Sequence, residues 1–283
     1  MKRSELKKFD PIISFALKED IGTGDITTNS IVDTKDRTDF VIRLKENAVI
    51  CGIPIIKEIF KKMNADLRIK HCVKEGEYLR KGSVILKANG KTRAVLTAER
   101  TALNFCQRLS GIATLTRKFV QAVKDYETCI LDTRKTLPCF RFVEKYAVRV
   151  GGGTNHRFGL FDQVLIKENH LYIQAKKGKW SIENAITQAR CKNPRKIIEI
   201  EVISLKHAIQ ALDAGADIIL LDNMPVKKVK EAMKFLKGNV KVEVSGGINL
   251  KTVRQYARAG VDFISIGALT HSVKAMDMTL MLI

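Results

Sequence analysis

Aromatic residues are scarce in this 283-residue chain: they make up 6% of it, with a single tryptophan and five tyrosines. That is too few for the interleaved stacking platforms of a single-strand nucleic-acid reader. No apolar run approaches the ~20 residues that span a bilayer. The first apolar stretch, residues 11–17, ends at Lys18-Glu19-Asp20 and lacks the shape of a secretory leader. Six cysteines, at positions 51, 72, 106, 129, 139 and 191, form neither CxxC pairs nor a dense framework, which excludes a disulfide scaffold and points to reduced thiols. Phosphate-loop, complete dinucleotide-fold, zinc-protease and serine-hydrolase motifs are missing as well. His156, His170 and His271 are dispersed, so no zinc site is expected. A cytoplasmic protein that engages no membrane is the expectation.

Acidic residues are also in short supply: 30 Asp and Glu stand against 50 Lys and Arg, a formal charge of +20. Such a balance implies anionic partners. The basic residues are scattered rather than gathered on a tail or helix, which favours a small polyanionic substrate over nucleic acid. With 45% hydrophobic residues, the chain can build one large α/β domain or two smaller ones.

Two textures follow one another. Residues 39–44, 48–52, 67–73 and 83–88 are strand-like, with turn signals at Lys74-Glu-Gly-Glu, Arg80-Lys-Gly and Asn89-Gly90. Helical spacing appears at 54–63 and again at 97–109. Residues 73–86 carry a faint fold-level echo of a biotinyl or lipoyl module, without a lysine presented in a hairpin. From Cys129 onward the pattern is strand, polar tip, helix, repeated. Apolar runs begin at Cys129, Gln163, Lys196, Asp217, Val240 and Asp262, and helical stretches at 205–214, 226–236 and 250–259 follow several of them. Apolar strands alternating with helices argue for an α/β layer fold. Polar residues at successive strand ends argue for a TIM-type barrel, incomplete at six or seven strands, whose site lies at the carboxyl ends.

The tips gather opposite charges. Arg134 and Lys135 follow the first strand, His156 and Arg157 follow the glycine run at 151–153, and Lys167 ends the next strand. Converging cations need a polyanion; singly, each could be a surface ion pair. Glu199 and Glu201 share one strand face by alternation, and Asp222 ends the following strand. These carboxylates could hold Mg²⁺, bind ribose hydroxyls, act on protons, or pair with neighbouring lysines. Ser245-Gly246-Gly247 and Gly267-Ala268 place small residues before expected helices, a cup for phosphate. Residue types and spacing thus reach a barrel enzyme handling a phosphorylated polyanion.

The motifs Ile-Leu-Asp-Thr-Arg-Lys-Thr (130–136), Glu-Lys-Tyr-Ala-Val-Arg-Val-Gly-Gly-Gly-Thr-Asn-His-Arg-Phe-Gly-Leu (144–160) and Leu-Ile-Lys-Glu-Asn-His (165–170) resemble the quinolinate phosphoribosyltransferase family. So do residues 19–28, 98–105 and 109–114, in the expected order over nearly the whole chain. The resemblance implies an open α/β sandwich over residues 1–112, completed by the tail 273–283, and an incomplete α/β barrel over 113–272. It implies transfer of the phosphoribosyl group of phosphoribosyl pyrophosphate to quinolinate, with Mg²⁺ and loss of CO₂. It also implies a homodimer with shared active sites, and higher assembly, up to a hexamer, in some members. By the same resemblance Arg134, His156 and Arg157 grip the quinolinate carboxylates, with Thr133, Lys135 and Lys167 beside them and Arg100 supplied by the partner. Glu201 and Asp222 hold the ribose hydroxyls, directly or through Mg²⁺, while Ser245, Gly246, Gly247, Gly267 and His271 cradle the 5-phosphate. Lys135, Lys167, Glu201 and Asp222 are the expected catalytic set. A protein of the same scaffold linked to molybdenum uptake is the nearest rival, and a basic nucleic-acid binder the more distant one. Cys139 stands where a glycine is expected, close enough to Arg134 to expose the site to thiol reagents, and Cys106 interrupts a helix.

Overall fold

A computed structural model describes residues 3–176, 178 and 181–283. The chain divides into two compact units. One comprises the residues up to Arg117 with Thr136–Gly152 and Leu269–Ile283; the other comprises Lys118–Lys135 and Gly153–Ala268.

In the first unit five strands precede a long helix: β1 (Arg37–Leu44), β2 (Ala48–Val49), β3 (Arg68–Cys72), β4 (Tyr78–Leu79) and β5 (Val84–Lys91). The C-terminal strand Met278–Leu282, β1, β5 and β3 form one antiparallel sheet in that order, and β2 pairs with β4. Phe40, Ile42 and Leu44 recur at period two and are fully buried. On the helix Ile53–Lys62, residues Ile55, Ile56, Ile59 and Phe60 repeat at helical spacing and are buried, with the Phe60 ring 5.5 Å from that of Phe40.

The helix expected at 97–109 runs much further, from Thr92 to Ala122. Glycine at 111 suggests a stop, but here it serves a close approach: a Cβ at Gly111 would lie 2.2 Å from the Lys274 carbonyl oxygen. Cys106 sits on this helix without breaking it, fully buried, and burial pushes its thiol up to about 12. Cys139, where a glycine is expected, adopts φ 62° and is exposed. The backbone there keeps the left-handed turn a glycine would favour.

The second unit is built on six parallel strands: β6 (Cys129–Leu131), β7 (Val164–Ile166), β8 (Ile198–Val202), β9 (Ile218–Asp222), β10 (Lys241–Ser245) and β11 (Phe263–Ser265). Each matches one of the six apolar runs, and the order is β6-β11-β10-β9-β8-β7. The helices Ile182–Lys192 and Leu205–Asp213 pack on β7, β8 and β9, and Val253–Ala257 packs on β11. Ser181 and Ser204 cap the first two by accepting hydrogen bonds from the Asn184 and His207 N–H groups.

Register divides the sheet into two chemically different faces. Ile198, Ile200 and Val202, Ile219 and Leu221, Val242 and Val244, and Ile264 share one face and are buried. Glu201, Leu220, Glu243 and Phe263 stand in one row on the other face, with Asp222 beside Ser245 in the next. Alternation adds Glu199 and Ser265 to that polar face. Its outer ends are the strand tips.

One of the two expected late helices shifts. The helix after Gly247 does not begin at once: a turn over 249–252 intervenes and the helix covers only Val253–Ala257. A four-residue helix, Ala268–His271, does follow Gly267 directly.

Gly111→Ala should cost about 1–3 kcal/mol in urea unfolding, the range of core overpacking. Cys139→Gly should raise stability by about 1 kcal/mol in the same assay, because glycine removes the left-handed Cβ penalty.

Candidate active site

Past β6 the chain ties its two polar loops together. Asp132 is fully buried and accepts hydrogen bonds from Asn155 Nδ2 at 2.5 Å and the His156 N–H at 2.9 Å. Thr154 donates its N–H to the Ile130 carbonyl at 2.8 Å and bridges Leu131 as a short parallel extension of the sheet. Thr133 Oγ1 accepts from the Lys135 N–H at 3.0 Å, a local turn that leaves Arg134 half-buried and Lys135 exposed.

Arg157 is buried, and its Nη1 donates to the Gln163 carbonyl at 3.0 Å. Its Nε is buried with no hydrogen-bond partner among the described residues. Burial, and then the charge of Arg134, hold the Arg157 guanidinium below its ordinary value. Two neighbouring cations with an unspent inward donor suit a bidentate anion such as a carboxylate.

The next tips carry the opposite charge. Lys167 Nζ donates to Glu201 Oε2 at 2.8 Å, so Glu201 has a lysine partner. Asp222 is clamped: Ser245 Oγ donates to its Oδ1 at 2.6 Å, and Asn223 Nδ2 to its Oδ2 at 2.8 Å. The Asn223 N–H in turn donates to the Ser245 carbonyl at 3.0 Å. Gly246 is required twice over, by φ 94° and because a Cβ there would lie 2.0 Å from Asn223 Oδ1. Gly247 is also left-handed, at φ 61°. Within this unit Thr133, Arg134, Lys135, His156, Arg157, Lys167, Glu201, Asp222, Ser245, Gly246, Gly247 and Gly267 all lie at or just past strand tips. Arg100 and His271 belong to the first unit. Arg100 is exposed on the long helix, 3.8 Å from Glu99, and His271 is exposed with Nδ1 2.6 Å from Ser272 Oγ.

Residue patterns did not reveal the cluster below the tips. Glu199 and Glu243, at 0% and 1% exposure, flank His156, whose Nε2 lies 3.2 Å from Glu199 Oε2 and 3.6 Å from Glu243 Oε1. Gln163 Nε2 donates to Glu199 Oε2 at 2.6 Å, and Ser265 Oγ donates to Glu243 Oε1 at 2.5 Å. Glu199 therefore has histidine and glutamine partners rather than a lysine. Burial, and then the charge of Glu199, push the Glu243 carboxyl up to about 8. The three ligand atoms lie within 4.8 Å of one another, and both carboxylates already accept hydrogen bonds from neutral side chains. One signal was available: Glu243 precedes Ser245 by two, as Glu199 precedes Glu201, so each shares the face of a tip residue.

Comparison with known proteins gives this geometry a context. The family described as quinolinate phosphoribosyl transferase matches with its N-terminal domain over residues 25–110 and its C-terminal domain over 112–281. A Bacillus subtilis (strain 168) protein named probable nicotinate-nucleotide pyrophosphorylase (carboxylating) is 42% identical over 281 residues, covering 99% of this chain and 94% of its own. The chloroplastic nicotinate-nucleotide pyrophosphorylase (carboxylating) of Arabidopsis thaliana is 38% identical, over 95% of this chain and 81% of its own. The solved nicotinate-nucleotide pyrophosphorylase of Francisella tularensis superposes with a TM-score of 0.91 at 39% identity, covering 98% of this chain and 97% of that one. With both domains matched in order and the strand-tip residues in place, the chain belongs to the quinolinate phosphoribosyltransferase family.

Proposed function

We propose that the tips of β6–β11 carry the family's reaction in this chain and that each tip has a separate task. The enzyme transfers the phosphoribosyl group of phosphoribosyl pyrophosphate to quinolinate with decarboxylation, giving nicotinate mononucleotide, pyrophosphate and CO₂ in de novo NAD biosynthesis. The observation that carries the assignment of tasks is the Arg157–Arg134 pair, whose repulsion and unspent buried Nε suit the carboxylates of a pyridine dicarboxylate. Thr133, Lys135, His156 and Lys167 complete that wall, and Arg100, exposed on its helix, reaches the partner's site in a homodimer. Higher assembly of such dimers, up to a hexamer, is compatible with this arrangement.

Glu201 and Asp222 face the ribose. Bond formation between the ring nitrogen and the anomeric carbon passes through an oxocarbenium-like state, which nearby carboxylates stabilise. Asp222, held from both sides by Ser245 and Asn223, offers a fixed acceptor and loses little freedom on binding. We assign the 5-phosphate to the backbone N–H groups of Gly246 and Gly247, with Ser245 and Gly267 beside them, the Ser245 hydroxyl being already donated to Asp222. The oxygen donors of Glu201 and Asp222, at partly exposed tips, fit a hard cation shared with substrate oxygens. When bound there, Mg²⁺ supplies charge neutralisation of the leaving pyrophosphate. After transfer, the adjacent carboxylate leaves as CO₂, the electron pair stays on the ring carbon where the neighbouring positive nitrogen stabilises it, and that carbon then takes up a proton from water. Six free cysteines accord with a reduced, cytoplasmic setting.

The test is consumption of quinolinate by the purified protein with phosphoribosyl pyrophosphate and Mg²⁺, with nicotinate as control. Turnover of quinolinate alone is expected, and chelation of Mg²⁺ should abolish it; silence with quinolinate from a folded sample would overturn the reading. Arg157→Met should raise KM for quinolinate by about 10–100-fold, the size of a lost charge-assisted hydrogen bond. Glu201→Gln should instead lower kcat with little change in that KM. Gly246→Ala should raise KM for phosphoribosyl pyrophosphate, because its Cβ displaces Asn223 from Asp222.

A further inference from the structure

Glu199 and Glu243 beneath the tips have no part in the tasks just assigned, and the cluster they form with His156 is unusual in composition. Two carboxylates, both out of solvent, lie within 4.8 Å of each other around one imidazole. Their remaining partners, Gln163 and Ser265, are neutral. Two ionised carboxylates so close in a dry site repel strongly, and one imidazole cannot balance both. His156 is fully committed inside the protein: Nδ1 accepts the Arg157 N–H at 2.7 Å, and Nε2 faces Glu199. With Nδ1 an acceptor, the ring proton is on Nε2 and is donated to a carboxylate. The nearer oxygen is that of Glu199, at 3.2 Å against 3.6 Å for Glu243.

We propose that Glu199 and Glu243 are positioning residues for the anion site: Glu199 is the ionised acceptor of the His156 ring and Glu243 its proton-bearing neighbour. The pair then fixes the loop 155–157 while placing one negative charge, not two, beneath it. This rests on the reading of Arg157 as part of the quinolinate site. The groups around the ring come from every side of the cluster. Glu199 projects from β8, Glu243 from β10 and neutral Ser265 from β11, while Gln163 stands just before β7. Asp132 holds the His156 N–H from the end of β6. Arg157 follows the ring in sequence, feels the Glu199 charge and is repelled by Arg134. A second negative charge on Glu243 would offset the cations that bind substrate.

The raised Glu243 carboxyl agrees with this geometry and gives a sign to the test. A carboxyl that keeps its proton in the folded state while the unfolded chain releases it loses stability as pH rises from its unfolded value to its folded one. Thermal unfolding of wild type and Glu243→Gln is compared across that range. The gain of the variant over wild type should grow from about pH 5 to about pH 8 and then level off. A gain that is constant with pH overturns the proposal, whether or not quinolinate is turned over. Steady-state kinetics supply the second readout. KM for quinolinate in wild type should rise several-fold between about pH 7 and about pH 9, and Glu243→Gln should remove that rise. Glu199→Gln should raise the same KM about tenfold at every pH, with a smaller effect on kcat. An alkaline rise that persists in Glu243→Gln, or a Glu199→Gln variant that loses kcat and leaves KM alone, overturns the proposal. A wild type silent with quinolinate sinks the assigned reaction, while the thermal comparison still decides the protonation of the pair.

Discussion

Burying carboxylates on one face of a parallel sheet is the constraint on which the second unit depends. Transfer of an isolated carboxylate into a dry interior is prohibitively costly, so each must find a donor, a counter-charge or a proton. Glu199 takes Gln163 and His156, Glu243 takes Ser265 and stands high on the pH scale, and Glu201 takes Lys167 at the rim. The loop that supplies His156 is therefore not free to wander. Asp132 holds it through Asn155 Nδ2 and the His156 N–H, and its imidazole Nε2 lies 3.2 Å from Glu199.

Charge is sorted by depth as well as by sign. Beyond β6 stand two neighbouring cations, Arg134 and Arg157, and the buried Arg157 Nε makes no hydrogen bond among the described residues. Around β8–β10 the tips are anionic and internally bonded, with Asp222 held by Ser245 and Asn223. A substrate pair with carboxylates at one end and a cationic sugar-like transition state at the other matches that gradient. A formal charge of +20 favours the approach of anionic ligands in general.

The first unit meets a different demand with ordinary means. Its sheet and helices bury aliphatic and phenylalanine side chains, and exposed pairs such as Arg37–Asp66 add little. One buried ion pair is integral: Glu144, fully buried, accepts from Arg108 and from the Leu137 N–H, while Arg108 also donates to the Thr270 carbonyl. That single pair anchors the loop before the helix Arg141–Val150 and the segment after Gly267 to the long helix. Burial raises the Glu144 carboxyl, and Arg108 offsets only part of that rise.

Much of this was legible in the sequence, because apolar strand runs, their polar ends and helix-stopping glycines such as Gly215 and Gly260 are local signals. All six parallel strands and the cations and carboxylates at their tips follow from period-two alternation and position in the run. The extent of the long helix did not, since Gly111 looks like a terminator until the Lys274 carbonyl is seen against it. Nor did the meeting of His156 with Glu199 and Glu243, residues separated by dozens of positions that no periodicity connects. Local pattern determined which side chains face which side of each strand. Only the strand order and register decided that β8 and β10 bring their glutamates to one imidazole, because that proximity is created by backbone pairing between distant segments.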